Sequence, residues 1–201
     1  MKTNLSIIAV TVALIIGPSA CSLFQSCPEV SPYFSIEGLE TDHMKLTNSS
    51  SIGEPITTGE IVEWDKYILH SYFKKSFYAS TKFNFGGSMA YALSCIESGY
   101  SGSEVGVESL YLIALKDYNL AYQKNDTLNN IINIRDLNDI DEVYSLSTYI
   151  GENNSGIQYD SFEIVLTEAP EGRVDLEFEL VYILTSGEVF KERTTTVSLR
   201  N

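Results

Sequence analysis

Residues 174–200 read VDLEFELVYILTSGEVFKERTTTVSLR. Val174, Leu176, Phe178, Leu180, Tyr182 and Leu184 fall on every second position, with Asp175, Glu177 and Glu179 between them. Successive side chains of a strand point to opposite faces, so this period of two sorts the apolar set to one side and the acids to the other. Ser186-Gly187 is a turn signal, and Val189 to Leu199 is rich in Thr and Val. The stretch therefore predicts a long C-terminal hairpin.

Working outward, Phe162, Ile164 and Leu166 alternate in the same way, set off by a turn at Ala169–Gly172 that contains Pro170. Earlier strands are expected at Tyr33–Ile36, Glu60–Leu69, Tyr72–Tyr78, Met89–Ile96 and Val105–Leu115. Asn119 to Asp141 is dense in Asn and Asp and reads as a long ordered loop with one short helix; a second helical turn is expected near Ser145–Ile150. Short strands, regular turns and no long helical pattern predict a mostly-β protein. The expected architecture is an antiparallel β-sandwich, Greek-key or immunoglobulin-like, with one or two short helical turns. One domain over residues 33–201 is expected, behind a tether at 21–32 that carries Ser, Gln, Pro28 and Pro32 without periodicity.

The N-terminus has the layout of a secretory signal. Lys2 precedes a 13-residue apolar run from Leu5 to Gly17, too short for the roughly 20 residues that span a bilayer. Ser19 and Ala20 then precede Cys21. Small residues before a Cys resemble the lipobox of bacterial lipoproteins, which implies cleavage after residue 20 and acylation of Cys21. Pro18 stands where that motif usually has Leu. Ordinary cleavage near Ala20, leaving Cys21 as a thiol or in a disulfide, is the competing reading. Several acyl chains would make a stable anchor without a membrane helix. The expected location is the cell envelope, on the outer membrane; Ser22 is compatible with outer-membrane sorting, and either the periplasmic or the surface side is open.

The formal net charge is −14, and removal of residues 1–20 takes away one Lys and no acid. Such a chain repels phosphate backbones, so nucleic acid is excluded as a partner. With Cys21 lipidated, Cys27 and Cys95 remain, and export to an oxidising compartment makes them a natural disulfide pair. Two unpaired thiols are the alternative.

Four further stretches carry a resemblance: CPEVSPYFSIEGL at 27–39, AYALSC at 90–95, the Gly-rich segment Gly99–Gly106, and YLIALKDYN at 111–119. They look like a family of uncharacterised lipoproteins of the Bacteroides group, over most of the mature chain. The resemblance implies a β-sandwich and supplies no catalytic residues.

The two histidines, His43 and His70, accompany no Gly-x-Ser-x-Gly elbow, so each reads as an ordinary strand or surface residue. Asp136, Asn138, Asp139 and Asp141 resemble a calcium loop in density, but Ile140 stands where a third oxygen ligand is needed. A solvated acidic loop and a calcium site both remain open there, and no other cofactor is expected. The acid pairs Glu63/Asp65 and Glu177/Glu179 read first as the solvent side of a sheet and second as glycosidase carboxylates. Between Tyr67 and Phe85 lies an aromatic run with Lys74, Lys75 and Lys82. Alternate rings in a strand are usually core, yet Tyr72, Lys74, Lys75 and Tyr78 can also form a surface for sugars or peptides. Asp126-Thr127-Leu128 resembles an O-glycosylation acceptor at Thr127, or is a plain turn. The function expected is a lipid-anchored, non-enzymatic binding module for a protein or glycan ligand. A glycan-binding accessory of a surface uptake system is the alternative, and a hydrolase using paired carboxylates comes third.

Overall fold

The computed structural model describes residues 33–47, 50–78, 101–135 and 143–201. The expected strand at Met89–Ile96 and the segments 1–20 and 21–32 lie outside the described residues, as do Cys21, Cys27 and Cys95. In chain order the strands are β1 (Tyr33–Thr47), β2 (Ser50–Pro55), β3 (Ile61–Glu63), β4 (Tyr67–Tyr78), β5 (Val107–Ala114), β6 (Ile132–Arg135) and β7 (Val143–Ser145). The helix α1 (Leu146–Asn153) follows, then β8 (Ser161–Leu166), β9 (Arg173–Leu176), β10 (Phe178–Leu184), β11 (Val189–Arg193) and β12 (Val197–Arg200). The fold is the expected mostly-β sandwich. A six-stranded sheet, β2-β1-β4-β8-β6-β7, faces a three-stranded one, β11-β10-β5, and a small third sheet, β3-β12-β9, sits at the corner. Pairing is antiparallel except between β3 and β12.

The inner faces follow the period of two. Phe178, Leu180, Tyr182 and Leu184 of β10, with Leu110, Leu112 and Ala114 of β5, are buried against Leu69, Phe73, Phe162 and Ile164 of the larger sheet. An aromatic cluster ties the layers together: Phe73 and Phe162 lie 5.2 and 5.5 Å from Tyr182. In β1 the register shifts between Ile36 and Gly38, so Phe34 and Ile36 point inward, then Leu39. This bulge explains why β1, expected to end at Ile36, runs on to Thr47: the alternation changes phase instead of stopping.

Two expected elements differ in form. Glu60–Leu69 is interrupted by a 3-10 turn at Trp64–Lys66, after which β4 runs unbroken through Tyr78. The C-terminal hairpin exists, with its turn at Gly187, but both arms are broken and change sheets. Leu176 pairs with Val197 and Glu179 with Arg193, so two residues on one arm face three on the other. At the break Phe178 N–H donates to the Thr194 hydroxyl at 3.0 Å, and Thr194 N–H donates back to the Phe178 carbonyl at 2.9 Å. The extra residue is a bulge that bends the ribbon around the corner of the sandwich.

The loop from Asn119 protects an edge. Leu128 N–H bonds to the Leu112 carbonyl at 2.7 Å. The Asn129 side chain accepts from Leu112 N–H at 3.1 Å and donates to the Leu110 carbonyl at 2.8 Å. An amide side chain thus completes the ladder of β5, leaving less of an open strand edge. The helix expected in this loop is the short 3-10 turn Asn129–Ile131.

Candidate functional site: a cleft beside the helix

Ser145 starts α1 by accepting a hydrogen bond from Thr148 N–H at 3.1 Å, a standard N-cap. Leu146 anchors the first turn in the core, and Tyr149 packs its ring, tilted by 37°, 5.5 Å from that of Phe162. Its hydroxyl meets that of Tyr182 at 3.2 Å. Burial pushes the Tyr149 and Tyr182 phenols up, so both stay protonated.

The chain after α1 turns back at close range over the Gly-rich segment. Ser103 and Ile157 exchange two backbone bonds, of 2.7 and 3.0 Å. A Cβ on Gly106 would sit 1.8 Å from the Asn154 carbonyl oxygen, and one on Gly102 2.1 Å from that of Ile157. Gly102 also has a φ of +84°. Glycine is required at both places because backbone occupies the space of a side chain.

This return leaves a cleft of about 230 Å³ between α1 and the ends of β6 and β8. Tyr149, Phe162, Ile134 and Ile157 form its apolar side; Glu152, Gln158 and Tyr159 stand on its polar side. Among the described residues no side-chain hydrogen bond or ion pair engages Glu152, Gln158 or Tyr159, and all three are exposed. Arg135 also lines the cleft, but its guanidinium is engaged with Glu163. No local pattern along the chain marks this cleft. The helix near Ser145 was legible, whereas the contact of its far end with β8 depends on the return over Gly102 and Gly106.

A second hollow, of about 250 Å³, lies at the hairpin corner. Its polar groups are largely engaged with each other. Asp175 accepts from Ser198 at 2.5 Å, and Glu60 pairs with Lys45 and with Thr57. The Lys45 pairing, foremost, holds the Glu60 carboxyl down at about 2. His43 binds the Thr195 carbonyl through Nε2 and the Tyr67 hydroxyl through Nδ1, both at 2.8 Å. A carbonyl only accepts, so Nε2 carries the proton. Burial pushes the His43 pKa down, the ring is neutral, and Nδ1 accepts from the Tyr67 O–H. His43 is a strut between β1, β4 and the corner.

The structure divides the four aromatic-segment residues. Tyr72, Lys74 and Tyr78 share the outer face of the larger sheet, while Lys75 lies on the opposite face, paired with Asp160 and 5.7 Å from the ring centres of Phe34 and Phe77. Lys74 pairs with Glu40 at 2.6 Å. The Tyr72 phenol, also bonded to Glu40, is pushed up to about 12. Tyr78 stacks on Tyr33 with ring centres 6.1 Å apart and donates to Glu104 at 3.2 Å. Tyr67 and Phe73 are core, and Phe77 is exposed. Phe83 and Phe85 lie outside the described residues.

His70 belongs to a cross-strand array on that outer face. Its Nδ1 lies 3.2 Å from Glu163 Oε1, while Arg135 grips Oε2 through Nε and Nη2, both at 2.7 Å. Burial raises the Glu163 carboxyl, but the bonds to His70 and the charge of Arg135 outweigh it and leave it below its ordinary value. One acid of each expected pair, Glu63 of Glu63/Asp65 and Glu177 of Glu177/Glu179, is likewise ion-paired. Glu63 meets Lys66 and Arg200. Glu177 is held at about 2 by Thr196, Arg193 and Lys116. A glycosidase acid needs the opposite shift. Thr127 is exposed and bridges Ile113. Asp136, Asn138, Asp139 and Asp141 lie outside the described residues. Among those described, no group of three or more His, Cys, Asp or Glu is placed to hold a metal, and no helix is long and apolar enough to cross a membrane.

No known protein family, curated protein or solved structure matches this chain.

Proposed function

We propose that the chain is an exported envelope protein, acylated on Cys21 and anchored to the outer membrane, whose sandwich is a non-enzymatic binding module with its ligand seat in the cleft beside α1. The observation that carries the reading is the cleft itself. A rigid aromatic side, fixed by the Tyr149–Phe162–Tyr182 contacts, faces three polar side chains that no side-chain hydrogen bond or ion pair engages among the described residues. Binding sites have this composition: an apolar body and a few oriented polar groups. The signal layout and the resemblance to Bacteroides-group lipoproteins support the anchor.

Cells fed labelled palmitate test the anchor: label enters the wild-type chain and is lost in Cys21→Ala. Label in neither, with a soluble product, refutes it. The purified protein is expected to turn over no glycan or peptide; turnover abolished by one acid substitution overturns the non-enzymatic reading. A second reading, a glycan-binding accessory acting through the outer face, is favoured by the stacked, half-buried Tyr33 and Tyr78.

A further inference from the structure

We infer that the cleft beside α1 binds a single neutral pyranose ring; the inference rests on the cleft being the ligand seat. Size limits the occupant first. At about 230 Å³ the cleft falls below the roughly 300–1,000 Å³ of drug-sized sites, which suits one ring and not an extended chain.

The apolar side comes next. Tyr149 cannot swing away, because its ring is held against Phe162 and its hydroxyl against Tyr182. It offers a fixed aromatic surface on which the C–H face of a sugar ring can rest at little entropic cost.

The polar side selects the chemistry. Glu152 is an acceptor, the Gln158 amide both donates and accepts, and the Tyr159 hydroxyl does the same. A ligand that satisfies all three must carry several groups that donate and accept, which is the property of a ring of hydroxyls. An ammonium ligand suits the charge of Glu152 but only donates, and so leaves the donors of Gln158 and Tyr159 unmatched. An anion is repelled. Among the described residues Glu152 of the lining has no ion-pair partner, Arg135 is engaged with Glu163, and the C-terminal end of α1 adds partial negative charge.

The full chain, solubilised in detergent and labelled in its tyrosine rings, is titrated by NMR with methyl glycosides of neutral pyranoses, with methylammonium, and with a general fragment panel. The expected result is saturable movement of the Tyr149 and Tyr159 signals with one or more pyranosides. Glu152→Gln and Tyr159→Ala should each weaken binding about tenfold, and Leu120→Ser, at a surface residue outside the lining, should leave it unchanged. Movement with methylammonium or a fragment but with no pyranoside overturns the sugar class while keeping the cleft as a ligand seat. No movement of the cleft tyrosines with any probe, in a folded protein, overturns the seat as well.

Discussion

Replacing Arg135 by methionine removes one half of a buried ion pair and leaves the other half in place. Arg135 and Glu163 are 5% and 6% exposed, and the guanidinium contacts Oε2 through two nitrogens at 2.7 Å. Deleting one partner of such a pair costs about 3–5 kcal/mol, because the remaining charge stays desolvated. His70 still holds Oε1 at 3.2 Å and is itself part-exposed, which offsets part of the loss. The expected cost is therefore about 3 kcal/mol at pH 7, or a Tm lower by roughly 6–12 °C for a domain of this size. Urea unfolding followed by Trp64, the single tryptophan, measures it.

The pH dependence gives a second handle. In the wild type the Glu163 carboxyl lies below its ordinary value, so its contribution is complete above about pH 4.3 and is lost as the pH falls through the lowered folded value. In Arg135→Met burial is opposed by His70 alone, the carboxyl rises and takes up a proton in the fold. The gap to wild type should then narrow on acidification. The double variant Arg135→Met/Glu163→Leu should recover to within about 1 kcal/mol of wild type, since neither charge is left to desolvate. A single variant costing under about 1 kcal/mol, with additive behaviour in the double, refutes the buried-pair account.

Three other perturbations follow from the same geometry. Below about pH 6.5 the unfolded His43 takes up a proton that the buried, neutral ring in the fold resists; stability is full above that pH and declines below it, and His43→Ala should cost about 1–3 kcal/mol and flatten that decline in a pH series of melts. Thr41 and Ser71 face each other in register with buried hydroxyls that have no partner among the described residues; Thr41→Val with Ser71→Ala should be neutral or stabilising by up to about 2 kcal/mol, and a clear loss in urea unfolding contradicts this. Gly106→Ala drives a methyl into the Asn154 carbonyl and should lose several kcal/mol, on the order of 3 or more; an alanine variant with wild-type Tm would show that the return over the Gly-rich segment is not tight.

The alternation in residues 174–184 was a faithful guide because every inward residue of β9 and β10, apart from half-buried Val174, is buried in one core. Where the reading departed from the fold, a specific device intervened. The bulge at Ile36/Gly38 hid the length of β1, and the hydroxyl of Thr194 broke an arm that read as continuous. Neither leaves a local pattern, because each depends on which strand lies opposite. The aromatic run was ambiguous for the same reason: Tyr72 and Phe73 are adjacent in sequence and lie on opposite sides of one sheet.

The sequence by itself determined the β class, the inward and outward residues of the main strands, and the acidic character. Each is a local or summed property of side chains along the chain. Tertiary structure alone decided the cleft, the His43 strut and the Arg135–Glu163–His70 array. Their members lie tens of residues apart, brought together by strand register and by two close backbone approaches at glycine. A contact between distant residues has an energy only once the fold has placed them, so no pattern along the chain encodes it.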